Sequence, residues 1–103
     1  MFARTTHWKG IEGHKQDEAI SMFRDQIVPK LRDHEGYEGA LLLADRKSGK
    51  AIAVTLWASE QALRESEEAV KPLRSKATQQ LGVEPTIERY EVAVSDLAAV
   101  VTA

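Results

Sequence analysis

His7 has the widest chemical reach of any side chain in this sequence. An unperturbed imidazole titrates near neutral pH, so in a pocket it could take a proton from a phenol or an enol. It stands next to Trp8 in a strand-like stretch, and no orienting partner is visible beside it, which leaves a half-buried or surface histidine as the competing reading. Tyr37 and Tyr90 bring phenols that could donate to a substrate carbonyl; the alternative is a buried ring whose hydroxyl meets the backbone. Arg4 and Arg89 fall within strand-like stretches, and Arg89 is flanked by Glu88 and Glu91. A guanidinium is a planar fork for a carboxylate, so both are candidate substrate anchors, with cross-strand ion pairs as the alternative. If Arg4 faces a cavity, it can hold an acidic substrate or stabilise an enolate. Trp57, Trp8 and Phe23 complete the candidate set as aromatic walls. Trp57 serves equally well as a packing anchor between subunits, and Phe23 either lines a cleft or fills it. The reading is therefore His7, Tyr37 and Tyr90 as catalytic candidates, with Arg4, Trp8, Phe23, Trp57 and Arg89 for substrate binding.

Other chemistries find no support. The chain has no cysteine, which removes thiolate ligands and thiol nucleophiles. No His and carboxylate group has metal-ligand spacing, and there is neither a phosphate-cradling Gly-rich loop nor a Ser-His-Asp arrangement. No metal and no cofactor are expected. Glu60, Arg64, Glu65, Glu67, Glu68 and Lys71 form a charge run with several i,i+4 pairs, which reads as a solvated helix face. His14 and His34 fall at the two ends of a helical segment, where His34 suits the helix dipole.

The elements that must position these residues follow from periodicity. Phe2–Trp8 is rich in β-branched and aromatic residues and predicts a strand. Across residues 13–34, Ile20, Phe23, Ile27 and Leu31 recur at three and four and predict a helix, kinked near Asp25–Gln26 by Pro29. Residues 37–45 and 50–58 predict two strands joined by the turn Arg46-Lys47-Ser48-Gly49. Leu63, Ser66, Val70, Leu73, Ala77 and Leu81 predict helix again, capped by Ser59. Pro72 falls inside that run and argues for two helices, about residues 59–70 and 72–81. Residues 86–94 predict the last strand, and residues 95–103 a frayed tail or an arm placed on a neighbour. The order is β-α-β-β-α-β. It predicts an α+β, ferredoxin-like fold, with a four-stranded antiparallel sheet and both helices on one face.

Length and composition fit one domain: 103 residues, 43% apolar and 29% charged. A net charge of −2 argues against a nucleic-acid partner, which calls for a basic face. No apolar stretch is long enough for a membrane span and the first residues lack a signal-peptide core, so a cytoplasmic protein is expected. The central hairpin, however, is apolar on both faces. Ile52, Val54 and Leu56 alternate with Ala51, Ala53, Thr55 and Trp57, and neither set is charged. Helices cover one face only, so a second copy of the chain is expected on the other, with Trp57 and its neighbours between the two sheets.

The block Glu35-Gly36-Tyr37-Glu38-Gly39-Ala40, then Asp45 and Gly49, then the run from Thr55-Leu56-Trp57 through Ala62-Leu63, resembles the antibiotic biosynthesis monooxygenase family. The likeness extends over about Phe2 to Val94. It implies a dimeric α/β barrel, a homodimer holding a small hydrophobic or aromatic ligand, and cofactor-independent oxygenation of an aromatic or enolisable metabolite. A non-catalytic ligand-binding or stress-associated dimer is the alternative. The heme-degrading branch of that family uses an Asn on the first strand, a Trp about ten residues after the strand-three Trp, and a His further along the helix. Here the first strand has no Asn, and Glu67 and Lys76 stand at the two helix positions, so the resemblance does not extend to heme degradation.

Overall fold

A computed structural model describes residues 1–98 of the chain. The elements are β1 (Phe2–Trp8), α1 (Gly13–Met22), a π-helical turn (Phe23–Ile27), α2 (Val28–Arg32), β2 (Tyr37–Asp45), β3 (Lys50–Trp57), α3 (Glu60–Leu81) and β4 (Thr86–Glu91). The four strands form one antiparallel sheet in the order β2-β3-β1-β4. The helices pack on one of its faces, giving the α+β ferredoxin-like arrangement.

The first helical segment bends where the sequence places the kink. Pro29 has no N–H to donate, and Val28 N–H reaches back to the Phe23 carbonyl, one residue beyond the α-helical partner. The predicted break in the other helix does not occur: α3 runs unbroken through Pro72. Its continuous inward stripe, with Leu63 and Ala77 buried, holds the two halves in line against the sheet. Ser59 Oγ accepts the Ala62 N–H at 3.1 Å, and Gly82 closes the helix in the left-handed conformation. The last strand ends at Glu91, opposite Phe2 of β1 and short of the predicted Val94; beyond it Val92 N–H still donates to the Met1 carbonyl at 2.9 Å. Residues 95–98 carry no helix or strand, and the rest of the predicted arm lies outside the described residues.

Gly36 brings β2 up against α3. Its φ of +84° is left-handed, and a methyl group there would run into Ala62 Cβ. Beyond it, a bulge between Tyr37 and Gly39 sets Tyr37 opposite Trp57.

The two faces of the hairpin differ in size rather than polarity. Ala51, Ala53, Thr55 and Trp57 all point under the helices and are buried. Three of these are small, which lets the helices approach. Trp57 is 0% exposed and packs with Leu31, Ala62 and Leu63. It is thus a core residue of its own chain, which corrects the reading that set it between two subunits. The opposite face carries Ile52, Val54 and Leu56, with Leu41 and Leu43 of β2 across from Val54 and Ile52. Leu41 and Leu43 are each 52% exposed.

Candidate functional site

Arg4 lies mid-strand in β1 with its side chain turned toward the helices, 2% exposed. Three of its donors are taken. Nε donates to Glu67 Oε1 at 2.8 Å, and Nη2 donates to the Leu63 carbonyl at 2.8 Å and to Ser66 Oγ at 2.7 Å. Its guanidinium carbon is 5.8 Å from the Trp57 ring centroid, within cation–π range. Arg89 is its cross-strand neighbour on β4. Like charges side by side repel, and Glu67 resolves the conflict by accepting Arg89 Nη2 at 2.6 Å on the oxygen that also serves Arg4. Arg74, two turns further along α3, brings Nη2 to 3.5 Å from Glu67 Oε2 without a hydrogen bond. Glu67 therefore meets guanidiniums from Arg4, Arg74 and Arg89.

The titration of this cluster follows from its geometry. Burial alone pushes the Glu67 carboxyl up, but the Arg89 hydrogen bond and the charges of Arg4, Arg74 and Arg89 outweigh it and hold the group below the usual carboxylate range. Burial pulls the Arg4 guanidinium below its ordinary value, opposed by its contact with Glu67. It stays charged, as arginines in proteins do.

A pocket opens beside this cluster, between sheet and helices. Thr6, Trp8, Ala53 and Thr55 make its floor, with Arg4 at one end. Phe23, Ile27 and Leu31 form one wall; Val70, Leu73, Arg74 and Ala77 of α3 form the other. The centre of a water molecule can range over about 40 Å³ of it. A second space of about 30 Å³ lies alongside and shares Trp8, Phe23, Ile27 and Ala77. The lining is almost wholly apolar, yet three residues that contribute to it carry buried donors without an acceptor among the described residues: Arg4 Nη1, Trp8 Nε1, and Arg74 Nε and Nη2. Buried donors are normally paired. A molecule seated here would meet those donors only with hydrogen-bond acceptors set in an otherwise apolar body.

Of the residues singled out from sequence, Arg4, Trp8 and Phe23 line this pocket. Trp57 lies beneath Arg4, outside the lining, and Tyr37 packs edge-on against it with ring centroids 5.8 Å apart. His7 points to the opposite face of the sheet. Side chains alternate along a strand, so with Arg4, Thr6 and Trp8 inward, His7 must face outward. There its Nε2 lies 2.9 Å from Thr5 Oγ1 and 4.0 Å from Glu88 Oε1. Tyr90 shares that outward face, half exposed, with its hydroxyl on Glu88. Arg89 is 51% exposed and reaches Glu67 rather than the pocket.

Arg74 and Glu67 were missed by the sequence reading, which took Glu67 for part of a solvated charge run and did not consider Arg74. A signal existed. Leu63, Glu67, Val70, Arg74, Ala77 and Leu81 recur at four, three, four, three and four, which sets both charged residues on the buried stripe.

No family model matches the chain. It is 36% identical over 77 residues to the uncharacterized protein Rv2557 of Mycobacterium tuberculosis, covering 75% of this chain and 34% of that protein. It is 35% identical over 78 residues to Rv2558 of the same organism, covering 76% and 33%. The chain thus spans about a third of the length of these relatives. Among solved structures, the monooxygenase ActVA-Orf6 of Streptomyces coelicolor, in complex with nanaomycin D, superimposes with a TM-score of 0.77 at 16% identity, covering 95% of this chain and 92% of that one. SnoaB, a cofactor-independent oxygenase of Streptomyces nogalater, gives 0.66 at 11% identity, covering 91% and 94%. A further antibiotic biosynthesis monooxygenase gives 0.68 at 18%, covering 91% and 100%. The chain has the fold of the antibiotic biosynthesis monooxygenases.

Proposed function

We propose that this chain is a small oxygenase that works without a bound cofactor on an aromatic or enolisable metabolite held between sheet and helices. The observation that carries the reading is the convergence of unpaired N–H donors from Trp8, Arg4 and Arg74 on an apolar pocket. Ionising a phenol or enol leaves negative charge on oxygen, and buried guanidinium and indole donors stabilise that charge. The two arginines make the bound hydroxyl more acidic, so water suffices to take the proton. The resulting carbanion reacts with dioxygen at carbon. For a ring CH2 the balance is CH2 plus O2 giving C=O plus H2O. The substrate supplies all four electrons, and no outside reductant enters. The fold shared with ActVA-Orf6 and SnoaB supports this chemistry.

The same reading extends to a homodimer. Leu41 and Leu43 at 52% exposure, with half-buried Ile52, Val54 and Leu56 beside them, form an apolar sheet face that a second copy would cover.

Oxygen uptake over a panel of dihydroxyanthracene-type and quinol compounds tests the oxygenase. Turnover is expected, with Arg74→Gln slower by about 10²-fold or more, as for loss of one oxyanion donor. His7→Ala should stay near wild type, because His7 faces away from the pocket. No uptake across the panel overturns the reading. Ligand-induced stabilisation without turnover would instead favour a binding protein, a reading that the lack of any His, Tyr or carboxylate on the pocket lining also favours.

A further inference from the structure

We propose that the ligand of this pocket is an anion, carrying a carboxylate that docks on the Nε–Nη2 edge of Arg74 and on Arg4 Nη1. The inference rests on the pocket assignment above and specifies the charge of what enters it. Nε and Nη2 form one edge of a guanidinium, the edge that meets both oxygens of a carboxylate side-on. In Arg74 both of these atoms are buried and make no hydrogen bond within the described residues; Nε is without a partner, and Nη2 has the 3.5 Å ion contact with Glu67 Oε2. Arg4, at 2% exposure, has Nη1 in the same condition. The charges point the same way. Glu67 is the one carboxylate among these groups, and its Oε1 already receives both Arg4 and Arg89. Arg89 is half in water, but Arg4 and Arg74 are not, so the buried part of the cluster holds more positive charge than Glu67 offsets. Unpaired charge away from water is costly, and an entering anion relieves that cost where a neutral ligand does not. No acidic side chain lines the pocket to oppose it.

Size narrows the class. The centre of a water molecule ranges over about 40 Å³ here and about 30 Å³ in the adjoining space, so nothing larger than a single ring is admitted. Above and below that ring lie Phe23, Ile27, Leu73 and Ala77. A one-ring arene carboxylate, such as a hydroxybenzoate, supplies the charge and a flat apolar body at the upper limit of that size.

Calorimetric titration of the full chain with benzoate and with methyl benzoate tests the proposal. The two differ in charge and little in shape. Benzoate is expected to bind more tightly by about tenfold or more. Arg74→Gln should bring the two to parity by weakening benzoate alone, and Arg74→Lys, which keeps the charge but loses the fork, should fall between. Arg64→Gln, which removes a charge from the solvent side of α3, should leave the preference intact. Thermal melting of each variant without ligand checks folding. Equal affinity for acid and ester in the wild type, or a preference that survives Arg74→Gln in a folded protein, overturns the proposal. So does failure of benzoate to bind in the millimolar range. Oxygen uptake is read separately. Benzoate binding through Arg74 without turnover of any compound keeps this inference and removes the oxygenase, whereas turnover of neutral quinols with indifference to the carboxylate does the reverse.

Discussion

Glu67 links three arginines, and the stability of the molecule should register it. Its carboxyl is held below the usual range in the folded protein, so its contribution is fully present above the unfolded value of about 4.3 and fades as pH falls through the folded one. Glu67→Gln leaves Arg4 with the Leu63 carbonyl and Ser66 but without its counter-charge. The expected cost at neutral pH is about 1–3 kcal/mol by urea denaturation. The gap between wild type and variant should narrow as the measurement is repeated at successively lower pH, because protonated Glu67 resembles the amide. At this scale the sequence was half legible. Arg4 could be flagged because a charge in an otherwise mostly uncharged strand invites a partner. Its partner could not, because Glu67 stands among Glu65 and Glu68 and only the stripe running from Leu63 to Leu81 separates it from them. His7 drew attention through its titration range, yet strand parity places it outward as soon as Arg4 is turned inward.

Periodicity made the order of elements readable, since a period of two and a period of three to four leave distinct traces. The prolines misled in one case and informed in the other. Pro29 coincides with a real change in helical geometry, whereas Pro72 leaves α3 whole. Local preference records the missing hydrogen bond but not the tertiary burial that compensates it. An exposed proline inside a helix remains costly, and Pro72→Ala should raise thermal stability by about 1–2 kcal/mol, part of the gain being lost to the freer unfolded chain. Val70, Leu73 and Arg74 flank this position on the pocket wall, so benzoate affinity should be measured on the same variant. At the start of β2, Gly36→Ala should destabilise by about 2 kcal/mol or more, through its left-handed φ and the approach of Ala62, which chemical denaturation would reveal.

For the molecule as a whole, the apolar hairpin announced that both faces of the sheet need cover, but not which face the helices take. Residue volume decides it: alanines and a threonine let helices close in, while the larger Ile52, Val54 and Leu56 remain on the far side. Sequence polarity carried no trace of that choice, and so Trp57 was assigned outward. The far side makes the quaternary prediction. The wild type should scatter light as a dimer at micromolar concentration. Leu43→Lys should yield a folded monomer, since a lysine at a half-exposed position is harmless in water but not between two sheets. A wild type that is monomeric throughout would remove the pairing.

The π-helical turn has a consequence for how this stretch tolerates change. Each α-helical residue advances about 100° around the axis, so Phe23 and Leu31, eight positions apart, would be some 80° out of line in a regular helix. The wide turn absorbs one residue and brings them to within about 20° of a common direction, over the tryptophans of the sheet. Shortening the chain by one residue between Arg24 and Gln26 would rewind the stretch as regular α-helix with the two seven positions apart, still within about 20° of each other, whereas lengthening it by one would swing either the phenyl ring or the leucine off the sheet. Replacing any of those exposed side chains would leave both aligned. This segment is therefore indifferent to spelling, forgiving of one residue lost and strict against one gained.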